Sequence, residues 1–382
     1  MNPLTHDQLK EAVDALNSAG GNKAKAARLL GIPRRTLGAR VARAALSGYS
    51  PAHDMTRMAP EGFLVKGTSS YYGKDGDLRG QWVKTTLDHE QTERIVREFV
   101  ETMSADIKGL CPLVPAPLHS HADLLTVYPM GDPHFGMYAW AREAGDDFDV
   151  KKAEELTAGA IDRLVVSAPE SETALLLNLG DFLHADNASN RTPESGHTLD
   201  VDTRHPHVLQ VALRCMVHCI RRLLQKHKKV IVWFMPGNHD PNVSFALALC
   251  LDAYFHANPR VDVDLTPGLY KYMRFGKVLI GSHHGHGAKM IELPGIMATD
   301  RHEDWGKTLY RYWYCGHIHH LTRDKEHPGC VVETFRTISP RDAWHTGKGY
   351  RAGRDMYAIT HHRNHGEIMR TRCDISMLSS VA

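Results

Sequence analysis

The sequence predicts an α/β core preceded by a small all-α module. From residue 124 onward, short apolar runs alternate with helical patterns, the mark of strands joined through helices. The first 50 residues read instead as three short helices with a local basic charge. Each of five apolar runs ends beside glycine and a cluster of Asp, Asn or His.

In residues 5–18, THDQLKEAVDALNS, Thr5 can cap a helix, and Leu9, Val13 and Leu16 recur at helical spacing. Gly20 and Gly21 stop it. Asn22 can cap a second short helix, KAKAARLLG, which Gly31 ends. Pro33 suits the start of a third, PRRTLGARVARAAL. Three short helices with a tight glycine turn between the last two match a helix-turn-helix.

Residues 47–87 are rich in Gly, Ser, Pro and Tyr, and GFLVKGTSSYYGKDGDLRGQWVKT reads as a hairpin turning at KDGD. Residues 88–107 read as a helix, and CPLVPAPL (111–118) as a proline-broken connector. The expected organisation is a helix-turn-helix module over 1–50, a connector over 51–120 and the main domain over 121–375. In that domain LLTVYPM, TALLLNL, KVIVWFM, KVLIGS and YWYCG are the expected strands, with helices over 151–165 and 206–226. VVETF and MYAITHH add two later strands.

Composition bounds the rest. With 382 residues, 42% apolar and 24% charged, the chain is long enough for a large core plus an accessory module. It has no apolar run of about 18 residues, so no membrane span is expected. The start MNPLTHDQLKEAVD lacks the basic beginning and apolar middle of a signal peptide. The seven cysteines are odd in number, scattered and without a CxxC pair, which fits reduced thiols in a cytoplasm. The formal charge of +2 hides an asymmetry: residues 20–46 carry Lys23, Lys25, Arg28, Arg34, Arg35, Arg40 and Arg43 and no acid. Any nucleic-acid argument therefore rests on the N-terminal module.

The 26 histidines cluster near glycine-rich loops after the apolar runs. In order, the runs lead into GDPHFG (Asp132, His134), GDFLH (Asp181, His184), PGNHD (Asn238, His239, Asp240), SHHGH (His283, His284, His286) and GHIHH (His317, His319, His320). Strands ending on one sheet edge bring their loops together. Carboxylate, amide oxygen and imidazole suit first-row divalent ions. Asp132, His134, Asp181, Asn238, His284, His317 and His319 exceed the needs of one tetrahedral ion and fit two ions sharing Asp181. A lone histidine after a strand is usually a cap or a solvated residue, but five such motifs in order are not explained that way. Asp240 can simply turn the chain before Pro241, and Asp186 has no assigned role. The loop holding Asp200, Asp202, Arg204, His205 and His207 reads equally as a phosphate site or a solvated insertion. Arg341, Asp342, Trp344 and His345 are as open.

The ordered set D-x-H, G-D, G-N-H-D, H-G-H, G-H-x-H resembles the calcineurin-like metallophosphoesterases over residues 121–365. The resemblance implies a four-layer metallophosphoesterase sandwich, two mixed sheets flanked by helices. It assigns Asp132, His134, Asp181 and His319 to one divalent ion and Asp181, Asn238, His284 and His317 to the other. His284 is favoured over His283 because it precedes Gly285. Manganese is the favoured ion, with iron, zinc and magnesium as alternatives. A hydroxide shared by the two ions would attack phosphorus, and His239 would serve the leaving oxygen.

Protein phosphatases of the family carry GDxxDRG and GNHE, whereas this chain has GDFLHAD and GNHD. The GDxxH pattern, with His184 as a second catalytic histidine, is closer to SbcD-type DNA-repair nucleases. GNKAKAARLLGIPRRTL resembles the Fis-type helix-turn-helix, implying DNA contacts from Lys25, Arg34, Arg35, Arg40 and Arg43. The combination suits a phage or bacterial genome. The first reading is a two-metal DNA phosphodiesterase or nuclease, with DNA as partner, no membrane and a homodimer allowed. The alternatives are a hydrolase of nucleotides or other small phosphoesters, and a DNA-binding regulator with a scaffold-only phosphoesterase domain.

Overall fold

The computed structural model describes residues 6–56, 59, 63–75, 77–87, 109–193, 195–323, 329–349 and 351–378. The helix expected over 88–107 lies outside them. The chain divides into two compact units, Met1–Glu98 and Phe99–Ala382.

The first unit opens with α1 (His6–Ser18), α2 (Lys23–Leu29) and α3 (Arg34–Leu46). The Asn22 side chain accepts from the Ala24 and Lys25 amides, satisfying two donors that α2 cannot bond itself. Ala12, Ala26, Ala27 and Leu37 form a small core in which alanines let three short helices approach closely. A two-stranded hairpin follows, β1 (Phe63–Tyr72) and β2 (Leu78–Leu87). Tyr72 Oη donates to Asp54 at 2.5 Å, which ties the hairpin to the turn after α3.

The second unit contains two sheets. Six strands make the larger one: β3 (His121–Met130), β4 (Ser171–Asn178), β5 (Lys229–Phe234), β6 (Val261–Val263), β12 (Asp355–His362) and β13 (Gly366–Asp374), in the order β13-β12-β3-β4-β5-β6. The run β3 to β6 is parallel, and β12 and β13 are antiparallel. The second sheet holds β7 (Lys271–Phe275), β8 (Val278–His283), β9 (Tyr310–Cys315), β10 (Thr322–Arg323) and β11 (Val331–Thr334), ordered β10-β11-β9-β8-β7 with β8, β9 and β11 parallel. Helices α4 (Val150–Ser167), α5 (His205–Lys226), α6 (Val243–Phe255), α7 (Leu293–Asp300) and α8 (His302–Lys307) complete the layers.

Strand alternation sorts the layers. In β4, Leu175 and Leu177 face the same core as Val278 and Ile280 of β8 and Tyr312 and Tyr314 of β9, so the two sheets face each other. The opposite β4 residues, Ala174 and Leu176, pack with Ile161 of α4, Ile220 of α5 and Leu251 of α6. On the far side of the second sheet, Leu279 and Trp313 pack on Leu293 and Met297 of α7. This is the helix–sheet–sheet–helix sandwich expected of the chain. Both faces of the central strands are buried, which is why they read as continuous apolar runs rather than alternating ones.

All seven cysteines are free thiols. Among the described residues no helix is long and apolar enough to cross a membrane.

Leu177 is fully buried between the sheets. Leu177→Ala is expected to cost about 2–5 kcal/mol of unfolding free energy in urea denaturation, because the facing sheets cannot close the cavity.

Candidate metal centre

Five parallel strands deliver the motif residues to one place. The loop after β3 carries Asp132 and His134, that after β4 carries Asp181 and His184, and that after β5 carries Asn238, His239 and Asp240. From the facing sheet come His284 after β8 and His317 and His319 after β9. Asp132, His134, Asp181, His317 and His319 all have positive φ, from 43° to 70°. Such backbone costs roughly 1–2 kcal/mol per non-glycine residue, and it concentrates at functional sites. It turns each chain sharply enough to aim its side chain back over the strand ends.

Hydrogen bonds between loops hold these turns. The His317 amide donates to Asp132 Oδ2 at 2.8 Å, and the Gly316 amide to the His284 carbonyl at 2.8 Å. The His134 amide donates to the Asp181 carbonyl at 3.1 Å, and the His239 amide to Asp181 Oδ1 at 2.8 Å. Space is equally tight. A Cβ on Gly237 would overlap Asp181, and one on Gly180, at φ +100°, would overlap the His284 ring.

Two carboxylates that the sequence left without a site role prove to be supports. Asp240 is buried and accepts from the Asp181 amide at 3.1 Å, the Leu183 amide at 2.9 Å and Ser244 Oγ at 2.6 Å. It therefore orders the Asp181 turn instead of merely bending the chain before Pro241. Burial and the charge of Asp181 push its pKa up to about 7. Asp186 accepts from the Asn242 and Val243 amides at 2.9 and 3.0 Å, capping α6 from a separate loop. Asp202 accepts from the Val150 amide at 3.1 Å at the start of α4, a structural role within the polar 200–207 loop.

The central atoms are rich in acceptors and poor in donors. His284 Nδ1 donates to the Leu179 carbonyl at 2.7 Å, which turns Nε2 toward Asn238 Oδ1 at 3.1 Å and Asp181 Oδ2 at 3.3 Å. His134 Nε2 and His319 Nε2 stand 3.2 Å apart, with His319 Nε2 3.7 Å from Asp132 Oδ2. Two imidazole nitrogens on a shared ion at about 2.1 Å each, at near right angles, would be about 3 Å apart. Asp132 Oδ1 is buried without a hydrogen-bond partner. This donor set fits cations.

Electrostatics agree. Burial, with the imidazoles of His239 and His319, holds His134 well below the ordinary imidazole range. Burial likewise takes His319 to about 3 and His317 to about 4, leaving both neutral, as ligands must be. Burial and the neighbouring Asp181 push Asp132 well above the usual carboxylate range. Asp181 stays well below it: the His284 imidazole outweighs its burial. Burial opposes protonation of His284, but Asp181 and Asp132 hold its pKa at about 10. A proton there takes the place a cation could occupy.

All seven expected ligands thus meet at the junction of the two sheets. The donor atoms of Asp181, His284 and His317 lie within 4.8 Å of one another, as do those of His134, His184 and His239. The second grouping has imidazoles alone. The Nε2 side of His134 has the Asp132 carboxylate nearby, and that side suits a divalent charge better. His184 is buried, with Nδ1 3.4 Å from His134 Nδ1, its ring stacked on His239 at 5.3 Å, and its carbonyl 2.8 Å from His239 Nδ1. Burial, then His239, lowers its pKa to about 3. His283 stacks on Tyr270 and accepts from the Gly285 amide, so His284 is the histidine of that pair in the centre. Asp342 and His345, which the sequence left open, bond to each other at 2.7 Å, and the His345 imidazole stacks on His319 at 4.8 Å. The only signal of the pair was an ordinary i,i+3 spacing.

In the N-terminal unit, Lys25, Arg34 and Arg35 are exposed and Arg40 and Arg43 half-buried. Arg34 and Arg35 open α3, whose Leu37 and Ala44 face inward.

Residues 13–43 match the family described as bacterial regulatory protein, Fis family. No curated protein matches the chain. Solved structures with similarity include a Streptococcus pneumoniae protein described as a predicted phosphoesterase (11% identity, TM-score 0.26, 66% of this chain and 99% of that one). A dimetal phosphatase from Danio rerio has 9% identity and TM-score 0.35, over 66% of this chain and 99% of its own. A Vps29 double mutant from Entamoeba histolytica has 11% identity and TM-score 0.23, over 66% and 98%.

A cation at His284 Nε2 must displace a proton whose pKa is about 10. Manganese affinity measured by calorimetry from pH 6 to 8 is therefore expected to rise, by up to about tenfold per pH unit. A flat or falling affinity would contradict this assignment.

Proposed function

We propose that the protein is a metal-dependent phosphoester hydrolase that cleaves phosphodiester bonds in DNA. The observation that carries this reading is the convergence of carboxylate, amide and imidazole groups around Asp181, with Asp132 Oδ1 buried and without a hydrogen-bond partner. In this reading Asp132, His134, Asp181 and His319 hold one divalent ion, and Asp181, Asn238, His284 and His317 the other. Manganese is the expected metal. Such ions, when bound, supply Lewis-acid activation of water and neutralise phosphate charge.

The chain supplies the geometry and a proton. His239 is held by its amide to Asp181 Oδ1 and by Nδ1 to the His184 carbonyl. Its Nε2 is left to exchange a proton with the leaving oxygen. His184 is buried, so in this reading it acts by positioning His239 rather than by touching substrate. That narrows the catalytic role the sequence assigned it.

DNA as substrate is supported by the first unit. The segment matching the Fis-family description, residues 13–43, contains its acid-free α2 and most of the acid-free α3. Lys25, Arg34, Arg35, Arg40 and Arg43 would contact phosphates or base edges of duplex DNA.

Two experiments test this. With manganese, the protein is expected to hydrolyse single- or double-stranded DNA and bis-p-nitrophenyl phosphate. His239→Ala should lower kcat by about 10²–10⁴-fold while both ions still bind. Hydrolysis of p-nitrophenyl phosphate alone would overturn the nuclease reading, and no hydrolysis at all would favour a regulator. Duplex binding should weaken steeply between about 50 and 200 mM salt, and Arg35→Ala should weaken it further. Salt-independent binding would remove DNA as the partner of this unit.

A further inference from the structure

Beside His319 lies a cleft of about 250 Å³ whose wall includes Ser339, Arg341, His345, Arg351 and Arg354. We propose that this cleft is a subsite for a second phosphate of the substrate, one or more units along a chain from the scissile phosphate. The proposal rests on the phosphoesterase reading above and adds a substrate class to it: esters bearing several phosphates.

The wall is tied to the candidate ligands. Thr337 Oγ1 donates to the Asp132 carbonyl at 2.6 Å, and Ser339 Oγ to the Pro133 carbonyl at 2.5 Å. Both acceptors lie in the D-x-H loop, so Arg341, two residues beyond Ser339, is fixed relative to it. Farther along, Asp342 holds His345 against the His319 ring. One stretch of chain, 337–345, thus buttresses two candidate ligands and carries Arg341, which lines the same cleft as His319.

Charge in the cleft is unevenly compensated. Arg354 is engaged by Asp146 Oδ2 at 2.8 Å and the Ile338 carbonyl at 2.9 Å. Asp342 is engaged by His345. Among the described residues no carboxylate pairs with Arg341, and its Nε is buried without a hydrogen-bond partner. It lies over Gly145, where a Cβ would come within 2.9 Å of Nη2. A guanidinium fixed by packing, without a carboxylate and facing a cleft, is the group that recognises phosphate oxygens. Arg351, which donates to the Thr346 carbonyl at 3.4 Å, lines the same wall.

Two sources could offer such a phosphate, a nucleic-acid strand or a nucleoside polyphosphate. The test compares bis-p-nitrophenyl phosphate, ATP and pentathymidylate as substrates of the full chain with manganese. In Arg341→Met the ratio of kcat/KM for pentathymidylate to that for bis-p-nitrophenyl phosphate is expected to fall about tenfold, mainly through KM. Arg341→Lys should recover part of it by keeping the charge. A fall confined to the ATP ratio would support the subsite and assign it to polyphosphates. Unchanged ratios, or equal loss on all three substrates, would overturn it while leaving the hydrolase reading intact. A wild-type protein inactive on every substrate would overturn both.

Discussion

The second unit is organised around a buried excess of acceptors. Asp132, Asp181 and Asn238 oxygens and the Nε2 atoms of His134, His284 and His319 converge where two sheets abut. Burying such a set unpaired is unfavourable, so everything near it works to hold it in place. Amides from neighbouring loops are directed at the carboxylates, Asp240 ties down the Asp181 turn, and glycine at 237 leaves room for that turn. The apolar layers serve the same end, since the fully buried strands fix where each loop begins.

The strands were legible because burial on both faces gives unbroken apolar runs, and the clustered Asp, Asn and His residues because they follow those runs at once. The short strands β6, β7 and β10 and the helix α6 were not anticipated. VSFALALCLDAYF is apolar nearly all round, so it offers no amphipathic stripe to betray a helix. The supports were harder still. Asp186 caps α6 from more than 50 residues away in sequence, and nothing local to either segment signals the pairing. The stacking of His345 on His319 has the same character. Residues that bind through motif spacing can be read from a chain, whereas residues that brace them across loops require the fold.

The N-terminal unit follows a different economy. Its core is built from alanines and a few aliphatic side chains, and its stability depends on caps and tight turns. Asn22 and Gly31 therefore matter as much as any packed side chain, and both were visible in the sequence as punctuation. The exposed side chains of α2 and α3 include Lys23, Lys25, Arg28, Arg34 and Arg35, and neither helix carries an acid.

The left-handed backbone at Asp132, His134, Asp181, His317 and His319 has a consequence for the protein's lifetime. Glycine at these positions would relax the backbone, but at Asp132 and Asp181 it would also remove the carboxylates that accept amides from neighbouring loops. Asp and His there keep backbone strain in the folded chain, and any ion that binds only the folded form would offset it. Supply of such an ion would then govern how much of this protein persists against proteolysis.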